Sequence, residues 1–300
     1  MIFTGVGDEA GNTIDTQIKA TKELGWRHIE ARNVEVPGLT KANLHEIPDA
    51  AFEVVVDKLA SSGVSVYCFG STIANWGKKI DQPFDMADVE RAVSRMVRLG
   101  TRFVRIMSYA VRDAEDQMAA ERFRRLREIT KRFLDSGLQP LHENCMNYGG
   151  MGWPFTLELL ENVPGLKLVF DTANPVFNAD RSTPKPWPQQ DPWEFWTHVK
   201  EHVAHIHVKD AIWNPAKKDA DYTYPGEGQG AVRRILKDAI ASGYDAAISI
   251  EPHVAVVFHD ATVKTSDEAM YSSYVEYGRR LMRMVDEIRL ELGSLETSAS

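Results

Sequence analysis

The sequence predicts an α/β protein built as one (β/α)₈ barrel. Two observations carry this expectation. Eight strand-like runs alternate with helix-like stretches from one end to the other, and five of those stretches stop at a glycine just past the helix, as in Leu24-Gly25, Ser62-Gly63, Leu99-Gly100, Ser136-Gly137 and Ser242-Gly243. A doubly wound open sheet commonly needs fewer strands than eight, so the closed barrel is preferred.

The strands are expected at IFTGVG (2–7), HIEAR (28–32), VSVYCFG (64–70), RFVRIMS (102–108), LQPLHEN (138–144), KLVFDT (167–172), AHIHVKD (204–210) and AAISIEP (246–252). Each is short, and most carry β-branched or aromatic residues. Helical spacing of apolar residues is read at Asn12–Leu24, with Thr13 or Asp15 near its cap, and at Asp49–Ser62, Met86–Leu99, Ala114–Asp135, Thr156–Glu161, Asp191–His202, Ala231–Ser242 and Ser266–Leu292. No low-complexity linker divides the chain, so residues 1–292 are read as the barrel and Gly293–Ser300 as a small, polar, flexible tail.

Composition narrows the function classes. With 43 acidic against 35 basic residues the net charge is −8, which argues against a nucleic-acid backbone as partner and favours a small polar substrate. The N-terminus lacks a charged and apolar leader and no run of eighteen apolar residues occurs, so neither a signal peptide nor a membrane span is expected. The two cysteines, Cys68 and Cys145, each close an apolar run, which fits a reducing, cytoplasmic setting better than a disulfide framework. Assembly as a homo-oligomer is left open, closed dimers and tetramers being the common choice.

The chemistry concentrates at four strand ends. Glu143 closes the fifth run, Asp171 the sixth, His207 lies near the end of the seventh and Glu251 ends the eighth. Barrel active sites lie where strands pass into the following loops, so these four would converge on one half of the rim. Three carboxylates and one imidazole suit a hard or borderline divalent cation, and Mn²⁺ or Mg²⁺ fits better than a thiolate-seeking metal. Any one acidic residue at a strand end reads equally well as a solvated loop residue or a helix cap; four in succession do not. By strand alternation His205, His207 and Lys209 share a face, as do Glu251 and His253, which puts Lys209 and His253 near the mouth. Arg105 also points inward, where a buried guanidinium calls for a carboxylate.

Taken in order, the segments HEN, FDTANP, HIHVKD, PGEGQG and ISIEPH resemble the xylose-isomerase-like TIM-barrel superfamily. That group contains sugar isomerases and epimerases, inosose-metabolism enzymes and, more distantly, endonuclease IV type nucleases. The resemblance covers nearly the whole chain and is most specific from Leu138 to His253. It implies that Glu143, Asp171, His207 and Glu251 ligate one divalent cation, with manganese, magnesium and cobalt the usual choices and Mn²⁺ preferred here. It also implies that Glu143 and Glu251 act as acid and base.

The expected activity is that of a metal-dependent sugar isomerase or epimerase, abstracting a proton beside a carbonyl through an enediolate held by the metal. The chain departs from the ketose 3-epimerases of the group at two places. Asn174 stands where a histidine commonly follows the strand-six aspartate, and Trp213 stands where an arginine is common. The loops there are rich in aromatics, with Phe177, Trp187, Trp193, Trp213, Tyr222 and Tyr224, and could admit a glycoside. The alternative is therefore a metal-dependent lyase, a C- or O-deglycosidase that eliminates from a 3-oxo-sugar. An abasic-site nuclease is disfavoured by the acidic balance, and a non-catalytic sugar-binding scaffold would make the ligand set accidental.

The expected substrate contacts are His142, Asn174, Lys209, Trp213 and His253, with His259 a further candidate; no organic cofactor is expected. PGEGQG lacks the Lys-Ser/Thr ending of a phosphate loop and reads as a turn feeding the helix at Ala231. Asp8 and Glu9 read either as pocket residues or as a helix cap.

Overall fold

The computed structural model describes residues 1–255 and 265–298 of the chain. Its strands in chain order are β1 (Ile2–Gly5), β2 (His28–Ala31), β3 (Asn33–Val36), β4 (Thr40–Asn43), β5 (Ser65–Gly70), β6 (Phe103–Ile106), β7 (Gln139–Glu143), β8 (Lys167–Asp171), β9 (Val203–Val208), β10 (Asp210–Asn214), β11 (Asp219–Thr223) and β12 (Ala247–Ile250). The helices are α1 (Ile14–Glu23), α2 (Asp49–Ser62), α3 (Ala87–Leu99), α4 (Ala119–Asp135), α5 (Trp153–Asn162), α6 (Asn174–Phe177), α7 (Pro192–Val199), α8 (Val232–Ala241) and α9 (Asp267–Ser298).

Eight of these strands form one parallel sheet in the order β1-β12-β9-β8-β7-β6-β5-β2. The ring closes through a parallel bridge between Val6 and Glu30 and through Thr4, whose Oγ1 donates to the His28 carbonyl at 3.0 Å. All eight expected barrel strands are present, each within a residue or two of its expected bounds. What sequence spacing missed are two antiparallel hairpins, β3–β4 after β2 and β10–β11 after β9, and the one-turn helix α6. All three sit among the loops over the C-terminal ends of the barrel strands.

Local chemistry explains the elements. Thr13 caps α1 by accepting from the Thr16 amide, and Asp191 caps α7 by accepting from the amides of Trp193 and Glu194 at 2.8 and 3.0 Å. Gly63 and Gly100 end α2 and α3 in the left-handed conformation, at φ of +69° and +67°, which a side chain would resist. Along β8, β9 and β12 alternate residues, Leu168 and Phe170, Ile206 and Val208, Ile248 and Ile250, join the apolar cluster packed on the helices. The residues between them therefore point into the barrel. At the C-terminal end that interior is polar: Glu30, Arg105, Glu143, Asp171, His205, His207 and Glu251 are all buried.

The long last helix lays Tyr274, Tyr277, Leu281, Val285 and Ile288 into the same apolar cluster. The backbone of α9 continues to Ser298, and the side chains after Gly293, on which the expected tail falls, lie outside the described residues. No helix among the described residues is long and apolar enough to cross a membrane.

Candidate metal and active site

β7, β8, β9 and β12 are neighbours in the ring, so residues at their C-terminal ends meet without help from the loops. Register makes Asp171 and His207 directly adjacent partners. One donor atom from each of Glu143, Asp171, His207 and Glu251 lies within 4.8 Å of the other three, and all four side chains are buried.

Each donor is fixed by its surroundings. Glu143 Oε2 accepts from Arg105 at 3.0 Å, and its Oε1 accepts from the Asn174 amide at 3.2 Å. Asp171 Oδ1 accepts from the backbone amides of Ala173 and Asn174 at 2.9 and 2.8 Å, opening α6, while Oδ2 faces the Lys209 ammonium at 2.9 Å. Glu251 Oε1 accepts from Arg32 at 2.6 Å, leaving Oε2 toward Lys209 at 3.3 Å. His207 lies between the glutamates, its Nδ1 3.7 Å from Glu143 and 3.6 Å from Glu251. Those separations are too long for hydrogen bonds, and Nδ1 has no hydrogen-bond partner among the described residues.

The titration behaviour follows from this packing. Burial works to raise the pKa of Glu143, but the Arg105 guanidinium and the His207 ring together outweigh it and hold the carboxyl down at about 2. Burial likewise opposes ionisation of Glu251, yet Lys209 and His207 hold it well below the usual carboxylate range. Asp171 goes the other way, up to about 6, because burial and the charges of Glu251 and Glu143 outweigh Lys209. For His207 burial favours the neutral ring, but Glu30 and then the two glutamates push its pKa well above the ordinary value. Metal and proton therefore compete for the ring nitrogen.

A divalent cation fits these residues. Oxygen donors around Mg²⁺ sit about 2.1 Å from the ion, so opposed donors are about 4.2 Å apart, close to the span of this cluster. An orphaned imidazole nitrogen faces the centre. Charge points the same way: among the described residues the permanent cations beside the buried carboxylates Asp8, Glu9, Glu30, Glu143, Asp171 and Glu251 are Arg32, Arg105 and Lys209, with imidazoles facing Glu30 and Glu9. A cation would lower that excess.

Beside the four donors opens a cavity of about 210 Å³ whose lining includes Asn174, Lys209 and His253, three of the expected substrate contacts. Asn174 Oδ1 is buried and has no hydrogen-bond partner among the described residues. His253 is held by Glu9, which accepts from its backbone amide and lies against its Nδ1, both at 2.7 Å. His142 and Trp213, also expected as contacts, do not line this cavity. On β7 His142 alternates with Glu143 and turns outward, its Nε2 3.0 Å from Ser108 Oγ and 3.1 Å from Asn147 Oδ1. Trp213 lies on β10 and packs on the small cluster of Ala173, Val176, Ala211 and Ala220. His259 falls outside the described residues.

Of the loop aromatics, Phe177 and Tyr222 line the cavity. Trp193 stacks under Arg234 and Tyr224 under Arg280, at 3.8 and 3.9 Å. PGEGQG is a turn, as its sequence reads, and its anchor is Asp210, whose carboxylate accepts from the amides of Gly226, Gly228 and Gly230 at 2.8 to 3.0 Å.

Sequence reasoning missed Glu30 and Arg32. Glu30 Oε2 lies 2.9 Å from Nε2 of both His205 and His207, and Arg32 joins Asp8, Glu9 and Glu251. The signal was present: in HIEAR two charged residues share one face of a short strand inside a barrel, where charge needs a partner.

A model of one protein family, the xylose isomerase-like TIM barrel, matches residues 18–273. The chain belongs to that family. No curated protein matches it. Among solved structures, this xylose isomerase-like barrel is similar to a D-tagatose 3-epimerase-like protein, with a TM-score of 0.71, 15% identity and coverage of 97% of this chain and 100% of that one. It is also similar to a xylose isomerase domain protein from Planctomyces limnophilus, with a TM-score of 0.66, 16% identity and coverage of 96% and 97%. A third is a xylose isomerase-like TIM barrel protein from Mycobacterium smegmatis in complex with magnesium, with a TM-score of 0.63, 16% identity and coverage of 95% and 97%. At such identities the likeness is one of fold. The family includes sugar isomerases and epimerases.

Proposed function

We propose that this chain is a sugar isomerase or epimerase that removes a carbon-bound proton beside a carbonyl. The observation that carries the reading is the pair Glu143 and Glu251, buried at the ends of β7 and β12 with His207 between them. Each has one oxygen pinned by a guanidinium and the other turned toward the shared centre. Both are held ionised, so either can accept a proton from carbon and return it to another carbon or to the other face.

Glu143, Asp171, His207 and Glu251 would hold the cation, and three oxygens with one imidazole favour Mn²⁺, with Mg²⁺ or Co²⁺ as alternatives. Bound there, a divalent ion supplies Lewis-acid polarisation of the substrate carbonyl. The Lys209 ammonium, kept charged by Asp171 and Glu251 against the effect of burial, stabilises negative charge as it develops on the substrate. Asn174 Oδ1 offers an acceptor to a sugar hydroxyl. The two thiols, both buried and unpaired, support a reducing, cytoplasmic setting.

A second reading is elimination from a 3-oxo-glycoside, favoured by a further compartment that opens beside the cavity. There the same base takes the C2 proton, the C1–O bond breaks with its electrons leaving on the aglycone oxygen, a C1=C2 double bond forms, and the aglycone oxygen is protonated.

The deciding experiment is hydrogen–deuterium exchange in D₂O by the Mn²⁺-loaded protein against free ketoses, aldoses and 3-oxo-glycosides. Deuterium at one carbon of a free sugar supports the first reading, and release of an aglycone supports the second. Absence of exchange across the panel would sink both.

A further inference from the structure

Trp76 is 39% exposed and is the one aromatic among the large apolar side chains left exposed in the described residues. It sits in the loop after β5, and that loop is not loose. The amides of Met107, Tyr109 and Ala110 donate to the carbonyls of Ile73, Ala74 and Lys78 at 3.1, 2.6 and 2.9 Å, tying it to the loop after β6. Ala74, two residues earlier, is held at a φ of +52°, a left-handed conformation that a non-glycine residue adopts only when its surroundings impose it. The indole is presented on a braced support.

Trp76, Cys145 and Met146 line the metal-proximal cavity on one side and a second compartment of about 340 Å³ on the other. This second space differs in chemistry. Its walls include Val111, Met151 and Ala179, and one of its few polar groups, Asn178, has a buried side-chain nitrogen with no hydrogen-bond partner among the described residues. Apart from Asn147, Asn178 and Arg181 its lining side chains are apolar, and sugar hydroxyls placed against those apolar walls would lose their hydrogen bonds to water without replacement. A flat apolar ring would not, and an indole face is a natural surface for it. The first cavity alone falls below the roughly 300 Å³ at which ordinary small-molecule clefts begin, whereas the two together lie inside that range.

We infer that the compartment beyond Trp76 binds the aglycone of a glycoside, a flat apolar ring carrying an oxygen that accepts from Asn178. The sugar ring lies against the carboxylates in the first cavity, an assignment that rests on the proposed sugar chemistry.

The test is calorimetric binding to the full Mn²⁺-loaded chain of phenyl and methyl β-glycosides of glucose, galactose and mannose. The phenyl compound is expected to bind at least about tenfold tighter in one or more of the three sugars. Trp76→Ala should reduce that preference at least about fivefold. Ala179→Phe, which fills the second compartment, should remove it while leaving methyl glycoside affinity within about twofold. Absence of a phenyl preference in every sugar, or a preference unchanged in either variant, overturns the inference. Binding and deuterium exchange fail independently. Exchange without a phenyl preference removes the subsite alone, and a phenyl preference without exchange removes the proton-abstraction reading alone.

Discussion

Glu30 stands behind His207, its Oε2 2.9 Å from the imidazole Nε2 on the side of the ring away from Glu143 and Glu251. The same oxygen reaches His205 Nε2 at 2.9 Å. Burial opposes ionisation of Glu30, but His207 and His205 hold its pKa far below the usual carboxylate range. The Glu30 carboxylate against Nε2 fixes the ring so that Nδ1 faces Glu143 and Glu251, as outer carboxylates do for metal-binding histidines.

Replacing Glu30 with Gln should therefore weaken Mn²⁺ binding by about 10- to 100-fold. Circular dichroism should show the barrel intact. Metal titration of the two proteins decides the point, and an unchanged dissociation constant would show that His207 needs no such backing.

Glu143→Gln and Glu251→Gln keep shape and remove the proton acceptor. Each is expected to slow deuterium exchange by about 10²- to 10⁴-fold. Because each glutamate is also a candidate ligand, exchange is to be measured at saturating metal. Full activity in either variant takes that residue out of the chemistry.

Burial, aided by Lys78, Arg91 and Arg95, lowers the pKa of His45 from 6.5 to about 4. The unfolded chain therefore binds a proton between those values that the folded chain refuses. The contribution of neutral His45 is complete above pH 6.5 and is lost as pH falls toward 4. Between about pH 7.5 and about pH 5 the wild-type protein should lose about 2 kcal/mol more than His45→Gln, read from urea unfolding. Parallel losses in the two proteins would contradict this.

Asp210→Ala strips the PGEGQG turn of the acceptor for three backbone amides. Leaving several donors unpaired should lower stability by at least about 2 kcal/mol. It should also speed amide exchange at Gly226, Gly228 and Gly230. Wild-type exchange rates there would mean that the turn holds itself.

The periodic part of the fold was legible because parallel barrel strands and their covering helices leave a regular trace of apolar residues. The hairpins β3–β4 and β10–β11 were not, since NVEV and DAIWN carry too few alternating positions to stand apart from loops. The meeting of Glu143, Asp171, His207 and Glu251 could be read because each lies at or beside a strand end, and strand ends share one rim. His142 and Trp213 do not line the cavity beside the carboxylates. Alternation on β7 turns His142 to the face opposite Glu143, and Trp213 on β10 packs on the small cluster of Ala173, Val176, Ala211 and Ala220.

By itself the sequence determined the order of eight βα units, the rim on which Glu143, Asp171, His207 and Glu251 would meet, and the acidic charge balance. Only the tertiary structure decided which charge answers which: Arg105 to Glu143, Arg32 to Glu251 and Glu30 to His207. The same holds for the compartment beyond Trp76, walled by four separate loops. Periodicity is a property of neighbours along the chain, whereas pairing and cavity shape depend on groups far apart in sequence that closure of the barrel brings within a few ångströms.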